Sequence, residues 1–83
     1  KTLNARRDDD KRTAHLSWDS VPSATGYNVR FGIAQDKLYQ NYMVYDTNKL
    51  SIHILNAEKP YFFTVDVFNE SGVTKGATIV KIE

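Results

Sequence analysis

Between Tyr61 and Asn69 apolar side chains fall at every second position: Tyr61, Phe63, Val65 and Val67 alternate with Phe62, Thr64, Asp66 and Phe68. A period of two belongs to a β-strand with one face against a core, and it excludes an amphipathic helix over this stretch. Asn69-Glu70-Ser71-Gly72 ends the run as a polar turn. The chain resumes as a strand over 73–82, where Gly76 predicts a bulge or an edge.

The same rhythm recurs upstream. Ala14, Leu16 and Trp18 share one face of a strand over 13–18, with His15 and Ser17 on the other. Tyr27, Val29 and Phe31 alternate with Asn28 and Arg30 in a strand that ends at Gly32, and Leu50, Ile52 and Ile54 alternate with Ser51 and His53 in another. The tyrosine-rich stretch 38–45 reads as extended, with a slip in its alternation that a bulge would explain. Thr2 to Arg7 predicts a charged edge strand, and Asp8-Asp9-Asp10 a turn. About seven short strands and no helical period imply an all-β, two-sheet antiparallel immunoglobulin-like sandwich built as one domain over 1–83. Each sheet has one apolar face, and two such faces cover each other. Lys1 is not an initiator, so the stretch is expected to be a piece of a longer chain.

These residues resemble a fibronectin type III domain over most of the chain. Leu16-x-Trp18 is similar to the family's second-strand tryptophan, and Tyr27-x-Val29-x-Phe31 to its third-strand pattern. Leu55, Tyr61, Val65, Val67, Asn69 and Gly72 repeat its Leu…Tyr-x-φ-x-Val-x-φ-x-Asn-x-x-Gly register without a gap. The resemblance implies structural roles for Trp18, Tyr27, Leu55, Tyr61, Asn69 and Gly72, with the Tyr61 hydroxyl bonding back to upstream backbone as a tyrosine corner. The family's Pro-Gly-Thr corner is Ala57-Glu58-Lys59 here, and no Arg-Gly-Asp is present to support integrin-type adhesion. More narrowly, the segment 32–39 with Tyr42 to Tyr45 resembles the type III modules at the C-terminal end of bacterial, Bacteroidetes-type family 43 glycoside hydrolases. That likeness implies a secreted parent acting on xylan or arabinan.

Composition limits the chemistry. The chain has no cysteine, so thiol nucleophiles, disulfides and zinc–thiolate sites are excluded. A net charge of +1 provides no field for nucleic acid, and no apolar run reaches a membrane span. His15 and His53 lack a third ligand and are expected as solvated residues rather than a metal site. The Asp8–Asp10 run lacks the spacing of a calcium loop. No phosphate loop, nucleophile elbow or catalytic carboxylate pair is present, so no cofactor and no enzymatic activity are expected. Asn69-Glu70-Ser71 matches a glycosylation sequon, but Asn69 is expected to cap the turn instead.

What remains is an interaction surface. If Tyr61, Phe63, Val65 and Val67 face inward, then Phe62, Thr64, Asp66 and Phe68 face outward beside Asn28 and Arg30, joined by some of Tyr39, Tyr42 and Tyr45. Arg30 and Asp66 are expected to form an exposed cross-strand ion pair worth about 0.2–1 kcal/mol. The surface predicts a non-catalytic docking module on a neighbouring domain of the same polypeptide, with a plant-type polysaccharide as the alternative partner. An extracellular, periplasmic or cell-surface location and a monomer are expected.

Overall fold

In the computed structural model, residues 3–9, 11–45, 47–53, 58–76 and 78–82 are described. Among the described residues eight strands run in the order β1 (Leu3–Arg7), β2 (Ala14–Trp18), β3 (Gly26–Gly32), β4 (Gln40–Tyr45), β5 (Lys49–Ile52), β6 (Tyr61–Asn69), β7 (Gly72–Thr74) and β8 (Val80–Ile82). They form two antiparallel sheets, and no helix occurs among the described residues. One sheet has the order β1-β2-β5; the other has β4-β3-β6-β7, with β8 also on β6. The expected final strand is therefore split in two. Leu55 lies outside the described residues, as does Ile54 at the expected end of β5.

Alternation determines the facing. Ala14, Leu16, Trp18 and Ile52 of one sheet close on Tyr27, Val29, Phe31, Val44, Tyr61, Phe63 and Val67 of the other, all buried. Burying an aliphatic or aromatic side chain of this size contributes about 1.5–3 kcal/mol relative to exposure. The aromatic contacts are specific: Trp18 meets Tyr27 edge-on at 5.4 Å, and Phe31 stacks near Phe63 at 5.5 Å and Tyr42 at 5.8 Å. Such pairs add about 0.5–1.5 kcal/mol each beyond their area.

Two residues close the ends of the sandwich. The Tyr27 hydroxyl accepts a hydrogen bond from the Val21 N–H at 2.8 Å, so the β2–β3 loop is tied to a core residue. At the other end Arg7, expected as part of a solvated edge, spans two turns. Its Nε and Nη2 donate to the Lys11 carbonyl and its Nη1 to the Lys59 carbonyl. The same guanidinium lies 5.3 Å from the centre of the Tyr61 ring. Tyr61 is buried as expected; the segment its hydroxyl was expected to reach includes residues 54–57, outside the described set.

The Tyr27 hydroxyl supplies a direct test. Tyr27→Phe keeps the ring and leaves the Val21 N–H without its acceptor, so urea unfolding should show a loss of about 1 kcal/mol with an unchanged m-value. Unaltered stability would show that the bond contributes nothing net.

Candidate interaction surface

The outer face of the larger sheet is built in rows that follow from strand register. Gly26 pairs with both Tyr45 and Phe68, and Phe68 with Val73. Those four residues therefore form one row across β4, β3, β6 and β7. The next row is Met43, Asn28 and Asp66; then come Asn41, Arg30 and Thr64; then Gly32, Phe62 and Lys81.

The middle rows are polar and, on β6, covered. Asp66 and Thr64 point away from the core, yet they are 3% and 0% exposed. The cover comes from Gly76 and Thr78, between β7 and β8. On β6 only residues 64–66 lie between the residues paired with β7 and those paired with β8, so five residues oppose three. Gly76 and Thr78 therefore lie over β6 rather than in its ladder. Gly76 donates its N–H to Asp66 Oδ1 at 2.9 Å, and Thr64 Oγ1 donates to the Thr78 carbonyl at 2.8 Å. The approach is close enough that a Cβ on Gly76 would collide with the Val65 carbonyl. Arg30 completes the arrangement as a fork, with Nε 2.8 Å from Asp66 Oδ2 and Nη2 3.1 Å from Oδ1.

This corrects the expected surface ion pair. The pairing is the expected one, but the Asp66 carboxylate is buried and accepts three hydrogen bonds from a charged fork and a backbone amide. Removing one member of a buried pair leaves an uncompensated charge, whereas an exposed pair contributes little. Asp66 accordingly holds Gly76 in place and is no contact residue.

The apolar row is open. Tyr45 is 54% exposed and Val73 63%, and Met43, beside them in the next row, is 53% exposed. Phe68, half-buried, lies over Gly26, and the Tyr45 ring meets it edge-on at 5.7 Å. Phe62 is half-buried beneath the Lys81 ammonium, 5.8 Å from its ring centre. Asn28 is half-buried, its amide donating to Asn41 Oδ1 at 3.1 Å.

Two tyrosines depart from the expected surface. Tyr42 pairs with Val29 and so lies on the inner side of β4, its ring parallel to Phe31. Tyr39 lies ahead of β4 in the connection from β3, exposed but off the sheet face. Met43 and Val73 were missed. The two-residue loop between Asn69 and Gly72 aligns Phe68 with Val73, a register legible from the turn alone. Asn69 caps that loop as expected, accepting from the Ser71 N–H at 2.9 Å, and Gly72 has the positive φ of 132° that favours glycine.

The opposite sheet face is polar. His15 contacts Asp8 Oδ1 and Ser51 Oγ, each at 2.9 Å, while His53 Nδ1 lies 3.5 Å from Thr13 Oγ1. His15 is thus bound to neighbours rather than solvated, and no metal-binding group of three or more is found among the described residues.

No family model matches this chain, and no curated protein matches it. Solved structures do. A Fn3-like protein from Clostridium thermocellum superposes with a TM-score of 0.87 at 19% identity, over 99% of this chain and 86% of the other. The FN1-FN3 domains of chicken CNTN1 give 0.85 at 22%, over 98% of this chain and 28% of that one. A fibronectin domain of human collagen XX gives 0.79 at 19%, over 98% and 86%. The fold is that of a fibronectin type III β-sandwich.

The buried carboxylate generates the test of this surface. Asp66→Ala leaves Arg30 and the Gly76 N–H without their acceptor and should cost about 3–5 kcal/mol in chemical unfolding. A loss below about 1 kcal/mol is what an exposed pair would give, and would contradict the burial.

Proposed function

We propose that this chain is a non-catalytic accessory module of a secreted polysaccharide-degrading glycoside hydrolase of the xylan or arabinan type. It docks on a neighbouring domain of the same polypeptide, orienting or stabilising the catalytic part. The observation that carries the docking is the open row of Tyr45, Phe68 and Val73 with Met43 beside it. Aromatic and methionine side chains without charge match the centre of a protein interface, while Lys81 and Asn41 supply polar surroundings. The glycoside hydrolase assignment is supported by the likeness of segment 32–39 and Tyr42–Tyr45 to that group's appended modules. An extracellular, periplasmic or cell-surface location follows from the same assignment.

The open tyrosines also suit a second reading, in which sugar rings stack on Tyr45 and Tyr39, the latter 77% exposed. One pair of measurements separates the two. Val73→Glu, at a residue 63% exposed and off β4, should leave the melting of the isolated domain nearly unchanged and lower that of the longer polypeptide by a few degrees. Equal melting of the substituted and unsubstituted polypeptide would overturn docking. Xylan- and arabinan-derived oligosaccharides should leave the amide spectrum of the isolated domain unmoved. Saturable shifts at Phe62, Phe68 and the 39–45 stretch would instead establish the carbohydrate reading.

A further inference from the structure

Two open sheets have four outer edges, and an unguarded edge presents unpaired N–H and C=O groups to any extended chain. Three of the edges here are guarded. β1 carries Arg6 and Arg7 at one end. β5 is four residues long and begins with Lys49. The β7–β8 edge consists of two three-residue strands, and β8 carries Lys81. β4 has none of these devices. Its six residues, Gln40-Asn41-Tyr42-Met43-Val44-Tyr45, include no charge, no proline and no glycine, and they pair with β3 from end to end without a bulge. All but Val44 are exposed. Every second residue of such a strand directs its backbone N–H and C=O away from its partner.

From this contrast we propose that β4 is a pairing edge for a second copy of this chain, joined antiparallel about a two-fold axis at Met43. The strand is its own complement. Outer-face residues must oppose outer-face residues, so the registers allowed are those that pair odd-numbered with odd-numbered positions. The register centred on Met43 sets Met43 against its own copy, Asn41 against Tyr45 of the other protomer, and Tyr42 against Val44. No like charges face each other along the strand. The exposed edge of the Tyr42 ring gains a covering neighbour, and the apolar rows of the two copies meet through Met43. Pairing about a two-fold axis consumes both edges, so the assembly closes at two rather than growing. The proposal concerns the backbone edge of β4 and stands apart from the reading of the sheet face.

The chain has no cysteine, which makes crosslinking specific to introduced sites. Met43 is half exposed, so Met43→Cys leaves the core intact. Under mild oxidation the Met43→Cys protein should crosslink to itself at least about tenfold faster than a Val73→Cys control, because pairing raises the local thiol concentration. Asn41→Cys mixed with Tyr45→Cys should crosslink faster than either alone. The unsubstituted chain should shift from monomer to dimer mass with concentration in sedimentation equilibrium. Met43→Lys, which opposes two ammonium groups on the axis, should remove that shift. A concentration-independent monomer mass, or equal crosslinking rates for Met43→Cys and the control, would overturn the proposal.

Discussion

A carboxylate held out of water at the middle of a sheet is tolerable only when its charge and lone pairs are met, and Asp66 meets that condition with two elements at once. Arg30 reaches it from β3 as a fork, and Gly76 from between β7 and β8 as a backbone amide. The outer face of β6 is thereby covered over its central turn of backbone, while its inner face rests on the core. The cost of desolvating the charge is offset only by this geometry, so the position of Gly76 and the burial of Asp66 require each other. Thr64 extends the same logic with a neutral group, closing on the Thr78 carbonyl.

Two consequences follow for the surface. The cover over β6 separates β7 from β8, which guards that edge against pairing. It also leaves the outer face divided, with a clasped polar half and an apolar row at the opposite end. Phe68 packs over Gly26, which lacks the side chain that would lift it off the sheet, and Tyr45 meets Phe68 edge-on. The row is uncharged and open, which distinguishes it from the polar outer face of the smaller sheet, where Arg6, His15, Ser51 and Lys49 lie.

Much of the fold was legible because period-two alternation is local: β2, β3 and β6 each show their inner face in five to nine consecutive residues. The Arg30–Asp66 pairing was legible too, since both lie on outer faces of strands expected to be neighbours. Its burial was not. Burial of Asp66 depends on backbone about ten residues downstream, at Gly76 and Thr78, whose only trace in the sequence is Gly76. β4 was ambiguous because tyrosine suits either face; only pairing with β3 assigns Tyr42 inward and Met43 and Tyr45 outward. Arg7 was hidden for a similar reason, since its acceptors are backbone carbonyls, which no side-chain pattern announces.

Amide hydrogen exchange at Gly76 tests the central claim most directly. An N–H bonded to a buried carboxylate, over the face of a sheet, should exchange only with opening on the scale of global unfolding, alongside the amides of β3 and β6. Exchange of Gly76 at the rate of an open loop, while β6 stays protected, would show that Gly76 is not clasped and that the outer face is undivided.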